Sequence, residues 1–126
     1  MVSSTPGTQM LLAKLPDGRF VVGLPGDPAS ALAGLITIVA PLIRAMCGAQ
    51  PPEISHAVLV DEPPLGDYQD DTRLVPVTLT KAGSNIVAKK LPDPISALSS
   101  WANADGIALI APNVISAGAS VPVMML

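Results

Sequence analysis

The chain has 126 residues, enough for one ordinary domain or two small ones. Its net charge is −3 and it has no run of Lys or Arg, which excludes nucleic acid as a partner because phosphate binding needs clustered cations. The single cysteine cannot form an internal disulfide, no Cys/His spacing predicts a metal site, and no secretory signal pattern occurs, so we expect a cytoplasmic protein without a bound metal.

Hydrophobic residues make up 49% of the chain, charged residues 13%, and only three residues are aromatic. We therefore expect an aliphatic core. The low charge has two interpretations. Either some apolar surface meets a partner or another part of a larger protein, or the composition is simply rich in Ala and Val.

The first fifty residues predict a strand, a loop and a helix. The segment "RFVVGL" (19–24) is short, rich in β-branched residues and bounded by turn residues, which is typical of a buried strand. Asp27 is the expected N-cap of the following helix and Pro28 its first residue. We expect Pro41 to kink or restart this helix and Gly48 to end it.

The helix contains an uncharged stretch at residues 29–43, which could be a membrane-crossing segment or a buried helix. A bilayer requires about twenty apolar residues, more than this stretch provides. Pro41 interrupts it and Arg44 ends it. These features favour a helix that protein covers on several sides, and we expect no membrane association.

Residues 49–53 predict a linker, after which the pattern changes to short strands separated by turn residues. The predicted strands are residues 56–60, 73–79, 85–90, 106–112 and 120–126, with a short helix at 95–104. The sequence thus predicts an α/β fragment (1–50) followed by a small mostly-β barrel or sandwich domain (51–126). We expect few contacts across the linker. One strand and one helix cannot bury their own faces, so the first part should complete a larger α/β domain.

The loop before the helix and four further segments carry recognisable motifs. The segment "GLPGDPASAL" (23–32) resembles the Leu-Pro-Gly-Asn-Pro-x-Ser-Ala loop of the MoeA/gephyrin family, the molybdopterin molybdenumtransferases. Four further segments resemble the family in the same order along the chain: "PGTQM" (6–10), "AKL" (13–15), "ALSSWANADGIALIAP" (97–112) and "AGASVPVMML" (117–126). The ordered set covers nearly the whole chain and is more specific than any single segment.

The resemblance implies the C-terminal third of a dimeric enzyme. Such an enzyme inserts molybdate into adenylylated molybdopterin with Mg²⁺ and releases AMP. This chain alone should be inactive and hold no cofactor, and no catalytic residue is assigned to it. The resemblance implies a molybdopterin-binding loop and three accessory residues, listed here in that order: Pro25, Gly26, Asp27, Pro28 and Ser30, then Lys14, Arg73 and Ser96.

The loop has two interpretations, a ligand site or a plain helix cap. A helix N-terminus suits an anionic ligand, and Gly26 allows close approach to the backbone. However, Asp27 stands where the family has Asn, and its carboxylate would repel an anion. Four further positions that are basic in the family are Thr5, Thr8, Asp71 and Pro76. Either the positive charge lies upstream, or this is a divergent branch with altered ligand binding. The alternative function is that of a degenerate binding or scaffolding module without transferase activity.

An acidic loop, a histidine and the tryptophan give weaker signals. An acidic loop could hold Mg²⁺, but a solvated loop is the favoured interpretation; its residues are Asp61, Glu62, Asp67, Asp70 and Asp71. His56 has no visible partner in the sequence and is expected to have a structural or surface role. Trp101 is expected to anchor a core or an interface.

Overall fold

The structure, a computed structural model, describes residues 4–5, 10–63, 72–95 and 97–126. Within these residues it contains eight strands and three α-helices. The strands are β1 (Ser4–Thr5), β2 (Leu11–Lys14), β3 (Phe20–Gly23), β4 (Ile54–Leu59), β5 (Thr72–Ala82), β6 (Asn85–Lys90), β7 (Gly106–Ile110) and β8 (Ser120–Met125). The helices are α1 (Pro28–Gly34), α2 (Ala40–Met46) and α3 (Leu98–Ala102), with a π-helical turn (Leu35–Val39) between α1 and α2.

Strands β4 to β8 form a closed barrel in the order β5-β6-β4-β8-β7, because β5 also pairs with β7. The long strand β5 makes this closure: its first half, Arg73–Val77, pairs with β7, and its second half, Val77–Ala82, pairs with β6. The Gly83–Ser84 turn joins β5 to β6, and Gly83 has the positive φ of +65° that such a tight turn requires. The prediction of a small mostly-β domain is confirmed, and the architecture is a barrel.

The barrel interior is aliphatic, as the composition predicts. Its fully buried side chains come from all five strands and are small or branched: Ala57, Leu59, Val75, Val77, Ala88, Ala108, Ile110, Val121 and Val123. Side chains of this size fill a narrow barrel without leaving a channel. This packing stabilises the part of the chain that follows the linker.

Strands β2 and β3 form a separate antiparallel hairpin, with Leu11 opposite Gly23 and Lys14 opposite Phe20. The strand predicted at 19–24 is therefore present, but the prediction that it is buried is wrong within this chain. Val21 is 46% exposed, and Leu11 is 48% exposed. A two-stranded sheet gives each strand one neighbour, so apolar residues suited to burial on both faces stay in contact with solvent.

The helix begins and is interrupted where the sequence predicts. Asp27 is the N-cap and Pro28 occupies the first turn. Upstream of Pro41 the helix widens into the π-helical turn, in which the Ala40 amide donates to the Leu35 carbonyl. Proline lacks an amide hydrogen and its ring collides with the preceding turn, so a wider turn at this point relieves the collision.

Gly48 ends the helix in a Schellman motif, with φ of +71°. The Ala49 amide donates to the Arg44 carbonyl (2.8 Å), and the Gly48 amide donates to the Ala45 carbonyl (3.2 Å). These two bonds satisfy carbonyls that would otherwise lack partners at the helix end. The prediction of a glycine stop is confirmed.

The helix is less covered than the sequence predicts. Over Pro28–Met46 only 17% of the helix is buried, and the buried residues lie near its start: Ala29, Ala33 and Gly34. Ile43 and Met46 are 55% and 64% exposed. The expectation of a helix covered on several sides is therefore wrong within this chain. By length and composition alone this helix could also cross a membrane, a property it shares with the core helices of soluble proteins.

Two sets of contacts join the parts before and after the linker. Strand β1 pairs in parallel with the start of β5, at Thr72 and Arg73. Helix α1 packs Ala29 and Ala33 against a second buried cluster that contains Leu74, Trp101 and Ile107. The two parts are thus in closer contact than the sequence predicts, while their division near residue 50 remains a prediction about domains.

Candidate functional site

The predicted ligand loop, Pro25–Pro28, connects the end of β3 to the start of α1. Asp27 has an extended backbone, and its Oδ2 accepts hydrogen bonds from the amide of Ser30 (3.0 Å) and from the hydroxyl of Ser30 (2.9 Å). The structure therefore brings together Asp27, Pro28 and Ser30 as a helix cap, and both donors of Ser30 point at Asp27.

The electrostatics of the loop follow from this cap. The backbone amide of Ser30, and secondarily its hydroxyl, lower the pKa of Asp27 below its ordinary value of 3.8. The carboxylate is therefore ionised at neutral pH and neutralises the positive end of the helix dipole. The ionised Asp27 carboxylate would repel an anionic ligand. Its Oδ2 already accepts the hydrogen bonds of the Ser30 amide and hydroxyl.

Gly26 leaves space beside the loop. A Cβ built at Gly26 would have no heavy atom within 4 Å, so the backbone is open to a neighbour on that side. Pro28 has no amide hydrogen, and the amide of Ser30 already donates its hydrogen bond to Asp27. Ala29, the remaining residue of the first three in the helix, is fully buried, so its amide is not open to a ligand. The loop can approach a ligand closely but offers it few donors.

Lys14 does not lie beside the loop. It pairs with Phe20 at the start of β3, at the opposite end of the hairpin from Pro25. Its Nζ lies 5.7 Å from the centre of the Phe20 ring, a cation–π contact on an exposed surface. The structure does not bring this predicted accessory residue to the loop.

Arg73 is buried and belongs to the barrel. Its Nη2 donates to the carbonyl of Ala111 (2.5 Å) and to the carbonyl of Val114. Its neighbour Leu74 packs in the cluster that contains α1, and adjacent strand residues face opposite sides of a sheet. Arg73 therefore faces away from α1 and holds the segment after β7 in place. Ser96, the third accessory residue, lies outside the described residues.

The remaining candidate residues, those of the acidic loop and His56, do not form a ligand site within the described part of the chain. Among the described residues, no three His, Cys, Asp or Glu side chains are grouped to hold a metal ion. Asp67, Asp70 and Asp71 lie outside those residues. Asp61 accepts a hydrogen bond from the Lys90 amide (2.7 Å). His56 is exposed on β4.

Trp101 is a core anchor, as predicted. It is 3% exposed, and its indole N–H donates to the carbonyl of Ile95 (2.7 Å). It thereby ties α3 to the preceding loop and fills the cluster against α1.

One residue that the sequence analysis did not single out is Asp105. Its carboxylate accepts from the Leu79 amide (2.9 Å), and its own amide donates to the Val77 carbonyl (2.9 Å). It thus holds β5 at the point where β5 changes partner from β7 to β6. An Asp just before a strand is common in turns, so the sequence carried no signal specific to this role.

Comparison with known proteins adds independent information. Residues 67–126 match the MoeA C-terminal region (domain IV). The molybdopterin molybdenumtransferases of Staphylococcus aureus and Staphylococcus epidermidis are 32% and 31% identical to this chain over 90 residues. The matched segment covers 68% of this chain and 21% of each relative, so the chain spans about a fifth of the length of these curated relatives.

Solved structures agree over nearly the whole chain. A molybdopterin biosynthesis MoeA protein from Pyrococcus horikosii superposes with a TM-score of 0.65 at 25% identity, covering 98% of this chain and 30% of that one. A molybdenum cofactor biosynthesis protein from Pyrococcus furiosus superposes with a TM-score of 0.68 at 21% identity, covering 98% and 43%. With the match of residues 67–126 and the curated relatives, these findings show that the chain belongs to the MoeA family and corresponds to the C-terminal region of its members.

Proposed function

We propose that this chain supplies the C-terminal region of a MoeA-type enzyme of molybdenum cofactor biosynthesis, one that inserts molybdate into adenylylated molybdopterin. The observation that carries the proposal is the agreement of fold over 98% of the chain with a MoeA protein, together with the match of residues 67–126. The chain alone is expected to be inactive, and the full protein to act in the cytoplasm as a homodimer.

Residues 1–50 would form the end of the molybdopterin-binding α/β domain. Two features support this: the hairpin β2–β3 exposes apolar side chains such as Leu11 and Val21, and the helix exposes Ile43 and Met46. Side chains of this kind are normally covered by further strands and helices. The remainder of the MoeA-like chain, or a partner subunit, would cover them.

The loop Pro25–Pro28 would contact molybdopterin through its backbone. The open space at Gly26 permits close approach of a ligand to the backbone. Mg²⁺ is a different matter, because the described residues group no three ligands for a metal ion. We therefore assign no Mg²⁺ ligand to the described residues, and propose that the remainder of the full protein supplies the ligands for this ion.

One observation favours a second function, a MoeA-like binding or scaffolding module without transferase activity. Asp27 places an ionised carboxylate at the helix N-terminus and uses both Ser30 donors. Neither Lys14 nor Arg73 compensates, since Lys14 lies at the far end of the hairpin and Arg73 faces the barrel interior. A loop with this charge is a weaker anion site than one with Asn.

Complementation distinguishes the two functions. The complete reading frame that contains this chain would be expressed in a bacterium lacking its own molybdopterin molybdenumtransferase, and the activity of a molybdenum-dependent enzyme would be measured. Restored activity supports the transferase. If the protein is stable but neither it nor its Asp27→Asn variant restores the enzyme activity, the result supports the scaffolding function. Asp17→Asn is the matched control, because Asp17 is also exposed and its ion pair among the described residues is with nearby Arg19 (2.7 Å).

A further inference from the structure

A groove separates the second half of the helix from the end of the barrel. Ile36, Ala40 and Arg44 line one wall, spaced four residues apart on one side of the helix. The groove has a volume of about 450 Å³. Pockets that bind small organic molecules commonly have volumes of roughly 300–1,000 Å³, so the groove is large enough for such a ligand.

The opposite wall is the end of β8, Met124 to Leu126, and the floor is the linker Pro51–Glu53. These parts are held in place relative to each other. The Met125 amide donates to the Glu53 carbonyl (2.9 Å), and the Schellman motif at Gly48 fixes the helix end just before the linker. Two consecutive prolines also limit linker motion. The floor of the groove and its β8 wall are therefore preformed, which favours binding because little has to be ordered there.

The chemistry of the walls indicates the class of ligand. The walls are largely aliphatic and thioether side chains, and methionine adapts to ligands of different shape. Arg44 is the cation of the groove. Its polar contact within the described part of the chain is long, from Nη1 to the Gln50 carbonyl at 3.5 Å, and no ion pair among those residues involves it. Glu53, the acidic side chain of the floor, would disfavour a second negative charge.

We propose that this groove binds a small amphipathic organic anion, with its apolar body against Met124 and Ile36 and its single carboxylate or sulfonate at Arg44. The groove is distinct from the molybdopterin loop. Residues 27 and 44 lie on one helix, about 25 Å apart at 1.5 Å per residue. The proposal does not rest on the transferase function, and failure of complementation leaves it standing.

The test uses two matched dyes with the full chain: anilinonaphthalene sulfonate, which is anionic, and phenylnaphthylamine, its uncharged counterpart. Fluorescence titration should show tighter binding of the sulfonate. Arg44→Gln should weaken sulfonate binding roughly tenfold and leave the neutral dye unchanged, since charge-assisted hydrogen bonds exceed neutral ones. Glu53→Gln should strengthen sulfonate binding, because it removes a like charge.

A steric pair of variants separates the groove from the rest of the exposed helix. Ala40 and Ala45 are both exposed helical alanines, but only Ala40 lines the groove. Ala40→Trp should abolish sulfonate binding, whereas Ala45→Trp should not alter it. Any one of three results would overturn the proposal: equal effects of Ala40→Trp and Ala45→Trp, no effect of Arg44→Gln, or the absence of saturable binding. Dye binding that follows self-association in parallel sedimentation runs would also overturn it.

Discussion

Gly106 offers a direct test of how tightly the barrel closes. It begins β7, pairs with both Val77 and Met125, and is buried between them. A Cβ at this position would lie 2.6 Å from Val123 Cγ1 and 2.9 Å from the Met124 carbonyl oxygen. Both distances are too short for non-bonded atoms. Val123 is fully buried and stiff at χ1, and the other contact is backbone, so neither neighbour can move easily.

The expected loss of stability for Gly106→Ala follows from these contacts. Overpacking a core destabilises by about 1–3 kcal/mol, and replacing Gly by Ala returns about 0.4–1 kcal/mol through the unfolded chain, a net loss of about 1–2 kcal/mol. For a chain of this size the melting temperature should fall by about 4 °C per kcal/mol. Urea unfolding at low micromolar concentration, followed by circular dichroism, measures the free energy of unfolding.

Gly26→Ala is the matched control. Its Cβ would meet no atom within 4 Å and its φ is not positive, so stability should stay unchanged or rise by about 0.4–1 kcal/mol. If Gly106→Ala were as stable as the wild type with an unchanged m-value, the packing between β7 and β8 would be looser than the structure describes, and the reasoning would be refuted.

Four other predictions concern the helix, its cap and the loops. Asp27→Asn should raise the affinity of the full-length protein for molybdopterin, measured by titration at two salt concentrations. It should also lower stability at pH 7, and this loss should shrink as the pH falls below 3.8 and disappear below the lowered pKa of the folded state, because a carboxylate with a lowered pKa stabilises the fold only while it is ionised. Trp101→Phe should destabilise by about 1–2 kcal/mol in urea unfolding, since it leaves the partly buried Ile95 carbonyl without its donor. Arg73→Met should speed amide hydrogen exchange at 111–117, and unchanged exchange would show that Arg73 does not hold this segment. The exposed helix Pro28–Met46 should cause self-association, and a clean monomer in sedimentation at high micromolar concentration, without exposed-surface dye binding, would contradict this.

The sequence predicted the local structure well where local chemistry dominates. Strand β6 was expected at residues 85–90 and has these bounds. The N-cap at Asp27, the interruption near Pro41 and the stop at Gly48 are also confirmed. Each depends on one residue and its immediate neighbours. A proline without an amide or a glycine with positive φ acts in the same way in any fold.

The candidate site was predicted only in part, for a physical reason. Asp27, Pro28 and Ser30 are close in sequence, so their meeting in one cap follows from helix geometry. Lys14 and Arg73 were assigned to the same site by resemblance. The position of Lys14 depends on the register of the hairpin, and that of Arg73 depends on the face of β5 on which it lies. A register shift of one residue would move such a side chain to the opposite face.

The sequence by itself determined the elements after residue 18, their order, the aliphatic core and the family of this chain, but it did not predict strands β1 and β2. Only the tertiary structure decided how β5 divides its length between β6 and β7 to close the barrel, and that Arg73 faces inward. It also decided that the helix touches the barrel through Ala29 and Ala33 while its second half stands away from it. These outcomes depend on contacts between residues far apart in the chain. Such contacts are set by the fit of whole surfaces and leave no local pattern in the sequence.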